Sequence, residues 1–303
     1  KLSTDRSYVK WAIDAGARVL PETNVEKISY KRGVVDRLRC RTGAFEEPLE
    51  VFAKQFVISA GSIGSSALLL KSGIKKNVGT RVSFNAGSML TAEFDERVEG
   101  WDGDQMTSYI EVGGYMIEPT HNPVMSNAVT GPGWFGDHAR LMTRGAHVGF
   151  VGCLVATEAK GRIVYSRLLG HEETVFRPSS LDMERLHSGM EAVARVFLRV
   201  GARRLILPTS ELIELESEEQ LPLIRQRMAK AGTFTFGSAH PMGGNPISDD
   251  PAIGAIDSDF AVHGFDNLFV ADASVFPTGC RVNPIQTIMA MSKIAADRVV
   301  ARA

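Results

Sequence analysis

The sequence predicts an α/β protein, and three stretches carry that prediction. Residues 49–60 (LEVFAKQFVISA) read as a strand. They run through the small-residue turn Ala60-Gly61-Ser62-Ile63-Gly64 into an apolar helix ending near Leu70. Residues 86–176 hold runs that alternate polar and apolar side chains between glycine-rich turns, the pattern of an antiparallel sheet with one covered face. Residues 267–301 pass from a short apolar strand, Asn267 to Ser274, to a helix opened by Asn283-Pro284.

Taken in order, residues 1–20 begin as a helix. Tyr8, Val9, Trp11, Ala12 and Ala15 give it an apolar face, and Gly16 ends it. Arg18-Val19-Leu20, Val25–Tyr30 and 33–41 read as strands. The alternating runs are Met89–Val98, Thr107–Val112, Tyr115–Glu118, Ala146–Ala156, Arg162–Ser166 and Thr174–Phe176. Residues 123–141 lack periodicity and suit a loop or short helix beside a ligand. Ser180 caps a helix over 181–200 with Leu186, Met190, Val193 and Ala194 on its apolar face. Residues 217–230 read as a charged, solvated helix. In the last helix Ile285, Ile288, Met289, Ile294, Ala295 and Val299 recur with helical spacing, and Met289 and Met291 read as core filling.

Composition narrows the function. Apolar residues make up 44% of the 303 and charged ones 23%, which is ordinary for a protein with a real core. The net charge of −1 gives no reason to expect a nucleic-acid partner. No apolar run approaches the length of a membrane span, so no transmembrane segment is expected. The three cysteines, Cys40, Cys153 and Cys280, are too far apart for a metal pair. Their odd, sparse number suits buried free thiols in a reducing compartment, which leans toward the cytoplasm. No histidine other than His240 is placed in a site; His263 reads as structural.

The last quarter carries the chemistry. His240-Pro241-Met242-Gly243-Gly244 sets a histidine on a turn, where it either hydrogen-bonds locally or takes a proton. Asn283 suits the N-cap and Pro284 the first helical position. The free N–H groups of such a start favour a group that becomes anionic. Asn283 therefore has two compatible readings, a cap or a ligand contact. Asp272 ends the last strand, where it either initiates a turn or accepts from ligand hydroxyls.

Together these blocks resemble the glucose-methanol-choline (GMC) flavoprotein oxidoreductases. The matching elements are His-Pro-x-Gly, then Val-His-Gly-x-x-Asn-Leu-x-Val-x-Asp-Ala-Ser over 262–274, then Asn-Pro-x-x-Thr-Ile before the final helix. Gly243-Gly244-Asn245 replaces the family's frequent Gly-Thr-Cys. Asparagine at the second catalytic position looks most like the cholesterol, choline and long-chain-alcohol oxidase branches. The turn at 60–70 resembles the family's second signature, and Gly79 to Asn85 resembles its passage out of the flavin domain.

The resemblance implies FAD as cofactor and oxidation of an alcohol substrate to an aldehyde or ketone, with hydride transfer to flavin N5. It implies catalytic roles for His240 and Asn283. It implies cofactor contacts from Val25, Ala60, Gly61, Ser62, Asp272, Ala273, Asn283, Pro284 and Ile285. The electron acceptor would be oxygen, a quinone or a cytochrome. A Rossmann-like flavin domain is expected from discontinuous segments, 1–85 and 236–303, with an antiparallel substrate domain at 86–235. No G-x-G-x-x-G follows an opening strand, so the N-terminal part of the flavin domain is expected elsewhere, on a longer chain or a second polypeptide. The alternatives are a non-catalytic subunit or fragment of a split flavoenzyme, and a flavin-retaining lyase.

Overall fold

A two-residue turn starts the first sheet. Arg32 and Gly33 both take positive φ and join β1 (Thr23–Lys31) to β2 (Val34–Thr42), with Lys31 facing Val34. A Cβ at Gly33 would strike the carbonyl oxygen of Gly264, so glycine is required there. β3 (Glu47–Val51) completes a three-stranded antiparallel sheet in the order β1-β2-β3. These details come from a computed structural model that describes residues 3–102, 104, 106–120, 131 and 133–302.

The chain then crosses to a different sheet. β4 (Phe56–Ile58) pairs in parallel with the distant β14 (Leu268–Val270) and feeds the helix α2 (Gly61–Lys71). The single strand expected over 49–60 is therefore two strands, because its halves belong to different sheets. Asn267 bolts these sheets together. Its side chain accepts from the Val35 N–H at 2.8 Å and donates to the Val35 and Lys54 carbonyls. Ile28, Val35, Phe56, Leu69, Ile256, Leu268 and Val270 are buried in one apolar core, built from segments at both ends of the chain.

The middle of the chain makes the large sheet, in the order β12-β11-β5-β8-β7-β6. Its centre is β5 (Thr80–Glu93), paired antiparallel with β8 (Val148–Ala156), which in turn pairs with β7 (Tyr115–Thr120). β6 (Ile110–Val112), β11 (Arg204–Ile206) and β12 (Glu214–Leu215) are short. The first half of β5 also pairs with β13 (Pro241–Gly244), so β5 joins the large sheet to the returning C-terminal segment. β9 (Arg162–Ser166) and β10 (His171–Val175) form a separate hairpin.

One face of the large sheet is covered by α4 (Ser180–Arg199), which follows the shorter α3 (Gly136–Thr143). Leu186, Met190, Val193 and Ala194 of α4 meet Leu90, Cys153 and Val155 in a second buried core. The N-cap is Ser179, one residue before the expected Ser180. Asp182 answers it reciprocally, with Asp182 N–H on Ser179 Oγ and Ser179 N–H on the Asp182 carboxylate.

Several expectations fail for physical reasons. Residues 217–230 form only a 3₁₀ turn and the short α5 (Pro222–Arg227), because Pro222 fits only the start of a helix. That segment is not wholly solvated, since Leu221, Ile224 and Met228 are buried in the second core. Val19 and Leu20 are exposed and precede Pro21, and no strand forms there. α1 is limited to Tyr8–Asp14, and it buries none of its residues. In the last helix, α6 (Ile285–Ala301), only Ala295 is buried. Met289 is partly exposed rather than core, whereas Met291 packs against the first core. Of 123–141, residues 123–130 and 132 lie outside the described residues, and the end of the stretch enters the short helix α3. Among the described residues the cysteines are free, and no helix is long and apolar enough to cross a membrane.

Candidate active site

The site begins where α2 starts. Gly61 has φ +77°, and a Cβ there would meet open space, so the helix opening carries no side-chain bulk. Asp272 anchors this opening. Its Oδ2 accepts from the Gly61 N–H at 2.9 Å and from Ser65 Oγ. Its Oδ1 accepts from the Ser274 N–H at 2.8 Å. Ser65 Oγ in turn accepts from the Ala60 N–H at 2.9 Å. Asp272 is therefore a buried clamp between the α2 start and the turn after β14, with Ala273 buried beside it. The turn-initiating reading of Asp272 is realised. Its carboxylate is already engaged by protein donors.

The same helix reaches His240. Ser62 is buried and donates from Oγ to the Pro241 carbonyl at 2.9 Å. Gly243 and Gly244, at φ +75° and +112°, let β13 lie against α2 and β5. A Cβ on Gly243 would strike the Arg81 carbonyl, and one on Gly244 would strike Ser66 Oγ. The two glycines of Gly-Gly-Asn are thus dictated by close packing. His240 sits just before β13 and is half-buried. Its backbone N–H donates to Ser238 Oγ at 2.9 Å, and its carbonyl accepts from Asn85 N–H at 3.3 Å. The ring has no hydrogen-bond partner among the described residues. Burial lowers its pKa below the ordinary histidine value, so the imidazole is neutral at pH 7.

Asn283 is carried to this region by the loop after Phe276. The Cys280 N–H donates to Met242 Sδ at 3.3 Å, which ties that loop to β13. Arg281 Nη1 lies 3.0 Å from Glu111 Oε1 on β6, a second tie. Asn283 does not cap α6. The first helical hydrogen bond, from the Ile288 N–H, closes on the Pro284 carbonyl, so Pro284 is the cap residue and Asn283 sits one residue too early. Its Oδ1 is buried without a partner. Pro284 is buried, while Ile285 is 58% exposed and opens the helix with its N–H free of side-chain capping.

Val25 stands apart. It is half-buried beside a bulge in β1, and β1 meets α2 through the Ile28 N–H and Ser72 Oγ at 2.9 Å, at the end of α2 opposite Gly61. His263 is structural, with Nε2 2.8 Å from the Ser248 carbonyl oxygen. Among the described residues no cluster of histidine, cysteine and acids could hold a metal.

Two side chains that sequence reasoning did not single out belong here. Asn85 and Asn245 are fully buried, and neither atom of either amide has a partner. Ser66 and Ser274 near Asn245, and Ser83 near Asn85, also bury a hydroxyl without a partner. Asn85 lies within β5 and Asn245 just after β13, and neither position carries a local signal of complete burial. Their burial and their missing partners appear only in three dimensions.

These orphaned polar atoms decide whether the residues suit FAD. A buried amide or hydroxyl without a partner costs free energy that a polar ligand recovers. The α2 start carries no bulky side chain, with its Gly61 N–H already held by Asp272, and the α6 start offers N–H groups free of side-chain capping. The donor set is neutral and rich in amides and hydroxyls, which suits a cofactor with phosphate, hydroxyl and imide groups. The residues fit.

Comparison with known proteins agrees. Residues 1–86 match the N-terminal, and 158–292 the C-terminal, sequence profile of GMC oxidoreductases. An uncharacterized GMC-type oxidoreductase of Mycobacterium tuberculosis is 27% identical over 299 residues, covering 96% of this chain and 47% of that protein. A long-chain-alcohol oxidase of Arabidopsis thaliana is 23% identical over 336 residues, covering 99% and 44%. The solved FAD-dependent oxidoreductase from Chaetomium thermophilum superposes with a TM-score of 0.68 at 14% identity, covering 98% of this chain and 64% of that one. The chain spans about half the length of the curated relatives it matches. A separate second polypeptide finds no support, since each relative holds the matched region within one longer chain. With both profiles matched in order and an FAD-compatible site assembled from their residues, the chain belongs to the GMC oxidoreductase family, whose cofactor is FAD.

Proposed function

We propose that this chain carries the catalytic half of an FAD-dependent enzyme that oxidises an alcohol to the aldehyde or ketone. The observation that carries the reading is an unpartnered His240 ring, its pKa lowered by burial, just before the strand tied to the Asn283 loop, where Asn283 Oδ1 is also unpartnered. When bound, FAD supplies the hydride acceptor. An imidazole nitrogen of His240 accepts the hydroxyl proton as the carbon–hydrogen bond breaks. The Asn283 side-chain amide holds the substrate oxygen and fixes its orientation. Both groups are preorganised, His240 by its bonds to Ser238 and Asn85 and Asn283 through the Cys280–Met242 tie. The N-terminus of α6, where Ile285 is exposed, favours negative charge nearby.

Ala60, Gly61, Ser62, Asp272 and Ala273 form the cofactor-facing edge of the site in this reading, with Asp272 holding its shape. Val25 contributes from β1. The segments 1–85 and 236–303 act as the flavin domain and 86–235 as the substrate domain, in keeping with two apolar cores built from those stretches. A polar substrate head and an external electron acceptor complete the cycle. The test is anaerobic mixing of the FAD-loaded protein with a panel of primary and secondary alcohols. Loss of the visible flavin absorbance with carbonyl product supports the reading. Carbonyl product without bleaching, from an alcohol whose carbinol carbon carries a leaving group such as cyanide, makes the protein a lyase, and no reaction with any alcohol refutes the oxidation. Reoxidation by oxygen, a quinone or a cytochrome then identifies the acceptor.

A further inference from the structure

We propose that the cleft between β9 and the end of α2 binds a small organic oxyanion, a phosphate or carboxylate head on an apolar body. The cleft has a volume of about 380 Å³, within the range of small-molecule sites. Three cations line it and no acid does. Lys75 follows α2, Arg162 opens β9 and Arg167 follows β9. None of the three has an ion pair or a side-chain hydrogen bond among the described residues. Elsewhere arginines of this fold find acids: Arg204 holds Glu93, and Arg225 holds Glu184 and Glu191. Like charges left uncompensated around one concavity raise its positive potential, and its walls focus the field.

The cleft also offers a backbone donor. The Ile163 N–H turns away from β10 and donates to the Gly79 carbonyl at 2.8 Å. Ladder bonds alternate along an antiparallel strand, so the Tyr165 N–H, two residues on, turns the same way. The hairpin has two strands only, so no strand takes up that N–H beyond β9, and Tyr165 lines the cleft. The Tyr165 hydroxyl is already engaged, donating to the Gly170 carbonyl at 3.2 Å. The acids that face β9 in the ladder, Glu172 and Glu173, stand on β10, across the strand from this edge.

The rest of the wall is apolar. A Cβ at Gly79 would strike the Ile163 carbonyl, so the hairpin lies directly against the turn after α2. Val78 and Ile163 are buried there and Leu70 is half-buried. A bare inorganic anion would use the cations and the N–H alone. An anion with an apolar body would also cover Leu70 and Val78. From Gly61 to Leu70 the helix rises about 13 Å, so the cleft stands apart from the cofactor-facing edge proposed at Gly61 and Ser62. The inference is independent of the alcohol chemistry.

Calorimetric titration of the protein with inorganic phosphate, phenyl phosphate and benzoate tests it. Phenyl phosphate or benzoate is expected to bind saturably, with a Kd below about 10 mM, and more tightly than inorganic phosphate. Whichever of the two binds more tightly assigns the head group. Lys75→Gln, Arg162→Gln and Arg167→Gln should each weaken that anion by about threefold, the scale of one exposed ion pair, and the triple variant by more than about tenfold. Lys71→Gln removes an exposed charge of α2 that does not line the cleft, and should change the affinity by less than about twofold. All three cleft cations are exposed, so their variants should melt with the parent, which circular dichroism checks. No saturation with any of the three anions overturns the proposal. So does binding that the triple variant retains, which places the anion elsewhere. Inorganic phosphate binding as tightly as the organic anions, or Lys71→Gln losing as much as the cleft variants, overturns it as well.

Discussion

Replacing Asp272 with alanine separates a clamp from a ligand contact. Three protein donors lose their acceptor: the Gly61 N–H, Ser65 Oγ and the Ser274 N–H. Ser274 and Ser65 are fully buried, and Gly61 is only half-buried. Hydrogen bonds to a charged group contribute about 1.5–3 kcal/mol each, and an abandoned buried donor costs about the same. Water can replace the partner of the Gly61 N–H, so its loss is about 0.5 kcal/mol. The two buried donors bring the sum to roughly 4 kcal/mol. For a chain of this size each kcal/mol moves the midpoint by about 2–4 °C, so the cofactor-free Asp272→Ala protein should melt roughly 10 °C lower. Asp272→Asn retains one acceptor oxygen and should fall in between. Calorimetry or circular dichroism on cofactor-free protein measures the shift. A midpoint within about 2 °C of the parent, well below that range, would refute the clamp and return Asp272 to a direct ligand role.

Four further outcomes follow from contacts elsewhere in the fold. His240→Gln should lower kcat/KM by about 10²–10⁴ while FAD affinity stays within about twofold of the parent. Because burial lowers the His240 pKa, the imidazole stays neutral as pH falls through the ordinary value of 6.5, and the acid limb of the parent's profile should lie below that value. Glu118 is buried on β7, and burial raises its pKa, so the folded protein holds a proton that the unfolded chain has released. Stability is then lost as pH rises from the unfolded value of 4.5 through the folded one, and Glu118→Gln should gain stability above that window but not below it. At Gly189 on α4, a Cβ would collide with Cys153 Sγ and stand 3.0 Å from Tyr115 Cγ. Gly189→Ala should therefore cost about 1–3 kcal/mol in denaturant melts, as overpacking of a full core does.

Where the chain's own periodicity decides the structure, the sequence was legible. The β1–β2 hairpin, the α2 turn and the alternation through β7 and β8 all stand where the residues place them. Ser179 and Ser180 are both capable caps, and only the spacing to Asp182 chooses between them. In 217–230 the charges obscured Leu221, Ile224 and Met228, whose spacing of three and four already marks a buried face. Apolar spacing in α1 and α6 shows which face is apolar but not what covers it: α1 buries none of its residues, and α6 buries only Ala295 while Ile288 and Met291 pack against the first core.

The site divides along the same line. His240, Asp272 and Asn283 are legible because their neighbours form ordered motifs. Their roles differ from a one-residue reading because each role is set by what the fold brings from elsewhere. Asp272 is engaged by donors from α2, about two hundred positions away in sequence, and Asn283 is released from capping by one residue of helix phase. Asn85 ends the passage that begins at Gly79 and Asn245 stands in the Gly-Gly-Asn departure, but neither stretch assigns its asparagine a role. They become informative only when the fold buries their amides completely and leaves the atoms unpaired. A fold dominated by apolar packing has no reason to gather such groups. Here they gather twice: around the α2 start, at Ser66, Asn245 and Ser274, and beside His240, at Ser83, Asn85 and Asn283. Buried polar atoms that the protein leaves unpaired are stable only when something else satisfies them. Their two locations coincide with the two places where the family's motifs meet, so the cost in folding is concentrated around the proposed site.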